Sequence, residues 1–258
     1  DSQLLQKLSV PMLMYVPESY LPKKDIDTTV FSSHKDIFPT IFNLSLSNAT
    51  YLKSGENLFD VEPTDPNDLT NNNGVTFVAK GVGAPANMPA TVANFVAASD
   101  QYFSKADTDN SLDGGNQDFS YTFWIKTTVV GASYFIDKAN TADYGVQVNA
   151  AGKIRWEMTS FGRDIVSTTT VNDGVWHLVI VWFDGAGTLS LQIDNGAVQT
   201  VGGLASFLTN NDAFLIGRRG ASTTDDYAGN LSGVLRHDRV LTSDERTDLW
   251  NSGDGLFY

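Results

Sequence analysis

The chain has 258 residues, which is longer than the usual single domain, so one large domain or two modest ones are expected. A formal net charge of −13 makes phosphate backbones and anionic lipid poor partners, so we expect neither nucleic-acid binding nor membrane insertion. The absence of cysteine excludes disulfides, thiolate zinc sites and cysteine nucleophiles, and no apolar run is long enough to predict a membrane-spanning helix.

The first 85 residues have the pattern of a small α/β segment. The apolar run "VPMLMYV" (Val10–Val16) fits a strand buried on both faces, and "SSHKDIFPTIFNLSL" (Ser32–Leu46) has helical spacing. The stretch "GVGAPANMP" (81–89) combines small residues with two prolines, which is typical of a linker. The sequence therefore predicts a domain boundary, with the linker at 86–91.

After Pro89 the pattern changes to short strands separated by turns. In residues 119–126, one set of residues alternates with a second set, which indicates a half-buried strand. The first set is Phe119, Tyr121, Phe123 and Ile125, and the second is Ser120, Thr122, Trp124 and Lys126. Turns are predicted at Ala151-Gly152, at 184–187 and at 194–196. The fold class is therefore mainly β, an antiparallel jelly-roll β-sandwich preceded by the small α/β segment.

Two further elements refine this prediction. In Val175–Phe183 both alternating sets of residues are apolar, so this strand needs cover on both sides. The tail "LTSDERTDLWNSG" predicts a short helix with Thr242 or Ser243 as its N-cap and Gly253 as its stop.

Three phrases, in the correct order, resemble the laminin-G/concanavalin A-like superfamily across residues 92–258. They are "FSYTFWIKT", "DGVWHLVIVWFDGAGTLSLQIDNG" and "FLIGRRG…YAGNLSGVLRHDRVLTSDERTDLWNSG". The resemblance implies a structural role for His177, a capping or solvated role for Glu245 and a close backbone approach at Gly229.

Residues 10–59 resemble the C-terminal part of the sulfatase/alkaline-phosphatase superfamily. The matching phrase is "VPMLMYVPESY…SSHKDIFPTIFNLSLSNATYLKSGENLF", in which His34 and Asp36 look structural. That family's metal-binding and nucleophile motifs lie upstream of the matching phrase. The resemblance implies that residues 1–85 are the end of a catalytic domain or a repurposed remnant of one.

Catalytic residues are not expected in the sandwich, so an enzyme is not the leading interpretation. Glycoside hydrolysis needs two carboxylates about 5–10 Å apart, and glucanase relatives carry them in a Glu-x-Asp-x-x-Glu motif that this chain lacks. Residues 92–258 contain only two glutamates, Glu157 and Glu245, and Glu157 has no acidic partner nearby in the sequence. Without cysteine, and with His177 assigned a structural role, a nucleophilic triad is poorly supported as well.

Calcium is the cofactor that the family resemblance implies, held at the rim of the sandwich by Asp carboxylates and carbonyls. The candidate ligands are Asp143, Asp225 and Asp226. A second Asp-rich loop contains Asp107, Asp109 and Asp113. The alternative is that these residues make turns and increase solubility.

Sugar binding requires exposed aromatic rings beside hydrogen-bonding groups. The candidate ligand-binding residues near predicted loops are Tyr144, Trp156, Arg163, Arg218, Arg219 and Tyr227. The alternative for the three aromatic residues is a place in the core of the sandwich.

The leading functional hypothesis is a non-catalytic module that binds a glycan or cell-surface receptor outside the cell, on the envelope or on a virion. One alternative is a structural or adhesive component of a virion or cell surface, such as a fibre or decoration protein, which implies a homo-oligomer. Another is the C-terminal fragment of a sulfatase- or phosphoryl-transferase-type hydrolase.

Overall fold

The computed structural model describes residues 69–107, 112–138, 144–158, 163–204, 211–220 and 225–257, which belong to a unit running from Pro66 to Phe257. The N-terminal α/β prediction, with the sulfatase-like phrase and its His34 and Asp36, lies outside the described residues, as does Asp143.

Two antiparallel sheets of seven strands form the described unit, as the alternating sequence pattern predicts. Sheet A has the strand order β1-β4-β13-β6-β7-β8-β9, and sheet B has the order β12-β11-β10-β5-β14-β3-β2. The strands are β1 Thr70–Asn72, β2 Thr76–Ala79, β3 Thr91–Phe95, β4 Tyr102–Lys105, β5 Asp118–Lys126, β6 Ser133–Asp137, β7 Tyr144–Val148, β8 Lys153–Met158, β9 Arg163–Thr170, β10 His177–Asp184, β11 Leu189–Ile193, β12 Gln199–Val201, β13 Phe214–Ile216 and β14 Gly229–His237. The prediction of a β-sandwich is confirmed.

The main core lies between the two sheets. From β5 it receives Phe119, Tyr121, Phe123 and Ile125, the alternating set that the sequence identifies, and each is completely or almost completely buried. Sheet A contributes residues such as Trp156, whose ring meets Phe119 edge to face at a centroid distance of 6.1 Å. Burying each such side chain contributes about 1.5–3 kcal/mol to folding.

A second apolar cluster covers the outer face of sheet B. This outer cluster consists of Met88, Val92, Trp124, Trp176, Leu178, Ile180, Trp182, Leu241 and Leu249. Trp124 stacks on Trp250 at 5.6 Å between ring centroids. The requirement for cover on both sides of β10 is therefore confirmed, whereas the prediction that β5 is half-buried was wrong, because its outer residues lie beneath this cluster.

The sandwich begins earlier in the chain than the sequence pattern suggests. β1 lies in sheet A and β2 in sheet B, although both precede the boundary expected at 86–91. The ammonium of Lys80 donates to the carbonyl oxygens of Pro85, Ala86 and Met88, each at 3.0 Å. These bonds fix the proline-containing stretch as a structured turn between β2 and β3, so residues 86–91 are not a free linker.

The C-terminal helix, α1, spans Ser243–Trp250 and packs over sheet B. Its N-cap is Thr242, whose hydroxyl accepts from the backbone N–H of Glu245 while the Glu245 side chain binds the backbone of Thr242, forming a capping box. The helix ends at Asn251 in the left-handed conformation (φ 47°), before the expected stop at Gly253. Short 3-10 helices span Ala97–Ser99 and Asn251–Gly253.

Gly229 occupies the close approach that the family resemblance implies. Its φ is +140°, and a Cβ there would lie 2.4 Å from the carbonyl oxygen of Lys126. Only glycine tolerates both conditions, so Gly229 allows the first residue of β14 to lie close to the backbone of β5.

Within the described ranges, no helix has the length and apolar character needed to cross a lipid bilayer.

Candidate ligand-binding face

The outer face of sheet A carries a hydrogen-bonded polar network. The apolar residues of β7 and β8 pack inward, so alternation points Gln147 and Glu157 away from the core, and Tyr134 of the bulged strand β6 lies beside them. All three side chains are nearly completely buried. The amide of Gln147 donates to the Tyr134 hydroxyl oxygen at 2.8 Å and to the Glu157 carboxylate at 3.0 Å. The Tyr134 hydroxyl donates in turn to the Glu157 carboxylate, closing a three-membered network.

Arg155 extends this network to the edge strand β9. One guanidinium nitrogen (Nη1) lies 2.9 Å from Oε2 of Glu157, and Nε donates to Asp164 at 3.0 Å. Burial alone would lower the pKa of Arg155, but the two carboxylates outweigh it and raise that pKa. Arg155 and Asp164 remain about one-third exposed, so they present charged hydrogen-bonding groups to solvent.

Tyr134 acts as a hydrogen-bond donor in this network. Burial raises its pKa well above the usual range, and the hydrogen bond and charge of Glu157 raise it further. The phenol therefore keeps its proton and holds Glu157 in place, rather than serving as a nucleophile.

Two consecutive arginines, Arg218 and Arg219, continue the face beyond Tyr134. The Arg219 guanidinium lies over the Tyr134 ring at 5.2 Å from its centroid, and that of Arg218 lies over Tyr102 at 5.0 Å. Arg219 forms a 3.5 Å ion pair with Asp225, and its side chain is 41% exposed. The partly exposed guanidinium of Arg219 therefore adjoins the buried network, because it packs on the ring of Tyr134.

Asp226 is a buried carboxylate beside this surface. Its side chain is 2% exposed, and Nε of Arg218 lies 3.8 Å from Oδ1. Apart from an interaction with the carboxyl group of Asp100, neither carboxylate oxygen of Asp226 has a hydrogen-bond partner among the described residues. Burial, and then the neighbouring carboxylate of Asp100, raise the pKa of Asp226 to about 6, against the opposing charge of Arg218.

The loop that carries Asp225 and Asp226 is anchored to β6 through its backbone. The N–H of Tyr134 donates to the carbonyl of Asp225 at 2.9 Å, and the Ser133 hydroxyl donates to that of Asp226 at 2.9 Å. Two of the candidate metal ligands, Asp225 and Asp226, thus adjoin two of the candidate ligand-binding residues, Arg218 and Arg219.

The three aromatic candidates from the sequence lie in the core. Tyr144, Trp156 and Tyr227 are all completely buried. Alternation turns Tyr144 of β7 and Trp156 of β8 between the sheets, and Tyr227, just before β14, packs in the same core. The Tyr144 hydroxyl donates to the carbonyl of Leu112 at 2.6 Å, and that of Tyr227 donates to the carbonyl of Asn230 at 3.0 Å. A ring with no exposed face cannot stack on a sugar, so their expected role as ligand platforms requires correction.

Arg163 is exposed but does not join the network. It begins β9 on the side of Ile165, opposite to the outward-facing Asp164. Sequence reasoning missed Tyr102, Tyr134, Gln147, Arg155 and Asp164. Alternation with the apolar set of each strand is the signal that could have identified the last four.

In the second Asp-rich loop, Asp109 lies outside the described residues, and Asp107 and Asp113 are paired with a lysine. Asp107 and Asp113 each place a carboxylate oxygen 3.1 Å from the ammonium of Lys138. The calcium-loop interpretation of these two residues is corrected, because an internal cation already neutralises them. Across the described ranges, no three His, Asp or Glu side chains are arranged to hold a metal ion.

Glu157 also has an acidic neighbour that the sequence spacing did not show. Asp164 lies directly opposite it across the β8–β9 ladder. The guanidinium of Arg155 binds both carboxylates. Protein therefore fills the space between them that a glycosidase would leave for a sugar and water.

Comparisons with known proteins agree with this architecture. A laminin-G family model, described as the concanavalin A-like lectin/glucanases superfamily, matches residues 98–245. No curated protein sequence matches the chain significantly.

Solved structures share the fold at low sequence identity. The binding domain of Paraclostridial Mosquitocidal Protein 1 superposes with a TM-score of 0.58 at 16% identity, covering 72% of this chain and 47% of that one. The receptor-binding domain of botulinum neurotoxin mosaic serotype C/D gives 0.54 at 12%, covering 72% and 46%. Domain 4 of AbnA, an extracellular arabinanase from Geobacillus stearothermophilus solved with arabinotriose, gives 0.51 at 13%, covering 68% and 80%. The chain thus spans about half the length of the two toxin domains.

Proposed function

The chain belongs to the concanavalin A-like lectin/glucanase superfamily, and from that premise we propose that it is a non-catalytic module that binds carbohydrate on the outer face of sheet A. The observation that carries this proposal is the set of partly exposed side chains Arg155, Asp164 and Arg219, which the buried Tyr134, Gln147 and Glu157 hold in place. Sugar hydroxyls both donate and accept, so they match a surface where guanidinium donors and carboxylate acceptors alternate. The arabinotriose bound to domain 4 of the arabinanase supports the proposal by analogy of fold.

The charge of the face favours a neutral glycan. Arg155, Arg218 and Arg219 supply three positive charges, and each forms an ion pair with a carboxylate, while the whole chain carries −13. A carboxylated or sulfated sugar would meet this negative field, whereas a neutral sugar can bridge an arginine and its carboxylate without an electrostatic penalty.

An immobilised glycan array, followed by calorimetry, tests this proposal. We expect Arg219→Ala to weaken binding by about tenfold or more, since a hydrogen bond from a charged donor contributes about 1.5–3 kcal/mol. Arg163→Ala is the matched control, because Arg163 is exposed on the opposite side of its strand. Equal losses in both variants, or no glycan bound by the native chain, would contradict the proposal.

We further propose that a calcium ion binds at Asp226 with the help of Asp100, below the arginine pair. What supports this is the buried carboxylate of Asp226, which interacts with a second carboxyl group, that of Asp100. Two carboxylates suit a hard cation, and water would supply the remaining oxygen ligands. Bound calcium would neutralise both carboxylates and hold the Asp225–Asp226 loop in place.

Calorimetric titration of the chain with CaCl₂ tests the calcium site directly. We expect binding that is abolished in Asp226→Asn and Asp100→Asn and retained in Asp238→Asn, whose carboxylate is 83% exposed. Calcium should raise the midpoint of thermal unfolding of the native chain but not that of Asp226→Asn or Asp100→Asn. Heat of binding that survives both substitutions would place the ion elsewhere.

A further inference from the structure

An uncharged apolar patch surrounds the edge strand β2. Five of the exposed large hydrophobic residues in the described ranges lie on β2 or beside it: Leu69, Phe77, Val78, Val82 and Val96. The Phe77 ring is 61% exposed, although aromatic residues are normally buried. Such clustering on one edge marks an interaction surface rather than scattered exposure.

An apolar groove opens beside this strand. It has a volume of about 290 Å³ and is lined by Leu69, Phe77, Val92, Phe103, Ile216 and Val234, among others. The ring of Phe77 lies at its rim, 6.2 Å from the ring of Phe103. The lining suits apolar side chains, because only Thr91 and Ser232 contribute polar side chains.

The edge of β2 is also free to pair. It bonds to β3 on one side, with Phe77 opposite Ala93, and no strand of the described ranges pairs with its other side. Edge strands are usually protected by a charged side chain. Lys80 is the nearest candidate, but its ammonium is held by three carbonyl oxygens of its own turn.

Charge indicates which partner fits this surface. From residue 69 to residue 99 the chain contains a single charged residue, Lys80, although it has 30 Asp and Glu in total. Two copies with a net charge of −13 repel each other across most of their surfaces, and this stretch is where they can approach at least cost.

We propose that β2 pairs antiparallel with β2 of a second copy, which joins the two B sheets into one continuous sheet. A two-fold axis at Phe77 sets this residue opposite the partner's Phe77. Directly opposite residues share one side of a sheet, so both rings lie over the two grooves. This pairing is independent of the glycan proposal, because β2 is the edge strand of sheet B and the polar network lies on the outer face of sheet A.

Sedimentation equilibrium and light scattering of the whole chain test the proposal. We expect a dimer whose dissociation constant rises by about 30-fold or more in Phe77→Lys, the loss expected for a central interface residue. Val130→Lys is the control, because Val130 is 86% exposed and lies away from β2. A monomeric native chain at every concentration, or unchanged dimerisation of Phe77→Lys, overturns the proposal.

Cysteine trapping tests the register, since the chain has no cysteine of its own. Pairing centred on Phe77 sets Thr76 opposite the partner's Val78, so oxidised Thr76→Cys/Val78→Cys should form a covalent dimer. Thr168→Cys/Thr170→Cys on the edge strand β9 is the matched control, with the same spacing and exposed side chains. Equal cross-linking of both variants, or of neither, contradicts the proposed pairing.

Discussion

The ammonium of Lys138 lies 3.1 Å from a carboxylate oxygen of Asp107, and both side chains are completely buried. The same ammonium lies 3.1 Å from Asp113 and donates to the carbonyl of Asp212 at 2.8 Å. Three oxygen atoms thus converge on one internal cation at the end of β6. The cation ties the loop of Asp107 and Asp113 to the adjoining ends of β6 and β13, which are paired in sheet A.

Lys138→Met should therefore destabilise the fold strongly. The substitution keeps the volume of the side chain but leaves two buried carboxylates without their cation, which typically costs about 3–5 kcal/mol. Urea unfolding followed by tryptophan fluorescence measures this loss. Lys153→Met, on a partly exposed lysine of β8, is the control and should change the free energy of unfolding by less than about 0.5 kcal/mol. Similar values for the two variants would contradict a structural role for the ion pair.

His177 should make stability depend on pH around neutrality. Burial alone would lower its pKa, but Asp194 at 2.9 Å and Asp173 at 3.2 Å outweigh burial and raise it above the usual 6.5. The folded chain therefore holds the proton more tightly than the unfolded chain. This stabilisation is fully present below pH 6.5 and is lost as the pH rises through the folded-state pKa.

Comparison with His177→Gln isolates this contribution. The difference in the free energy of unfolding between the native chain and the variant should be largest at pH 5.5 and should shrink by pH 9. Urea unfolding at pH 5.5, 7 and 9 measures it. A difference that stays constant over this range would show that the imidazole does not titrate between the two carboxylates.

Gly229→Ala should destabilise the chain more than Gly131→Ala does. Both glycines have positive φ, +140° and +126°, but only Gly229 would place a Cβ against its neighbours, at 2.4 Å from the carbonyl of Lys126. Positive φ costs about 1–3 kcal/mol in either variant, and the close approach adds to that cost at Gly229 alone. Thermal unfolding of the two variants gives the comparison. Equal losses would mean that position 229 requires glycine for its backbone conformation and not for the close approach to Lys126.

Trp124→Ala should show that the outer cluster stabilises the fold. The ring of Trp124 is 3% exposed and stacks on Trp250, so its removal should cost about 3–5 kcal/mol. Val175→Ala, at a position that is 52% exposed, should change stability by less than about 0.5 kcal/mol. Chemical denaturation distinguishes the two, and a loss below about 1 kcal/mol for Trp124→Ala would mean that the cluster is dispensable.

The inner face of the sandwich could be predicted from the sequence because it follows a local rule. Alternation along β5 identifies Phe119 and Phe123 as core residues, and glycine-containing turns such as that at Gly152 mark the hairpins. The burial of Trp124 on the other side of β5 could not be predicted in this way. Its cover comes from α1 and the turn at Met88, which are distant in the sequence.

The candidate site was predicted less well than the fold. Arg218 and Arg219 were identified by their position near predicted loops, and the structure places them beside Asp225 and Asp226. Trp156 was misplaced because it also stands near a loop, although the alternation of β8 turns it inward. Lys138 had no local signal at all, since its partners Asp107 and Asp113 lie about 25–31 positions earlier in the chain.

Because α1 covers sheet B, the two outer faces of the sandwich differ in what they expose. The outer face of sheet B is covered by the outer cluster, whereas on sheet A the side chains of Arg155, Asp164 and Arg219 are partly exposed. A support, dye or fusion partner attached to the solvent side of α1, for instance at Asp244, would leave the polar surface unobstructed. Coupling through α1 would therefore orient every copy in the same way on a sensor or bead.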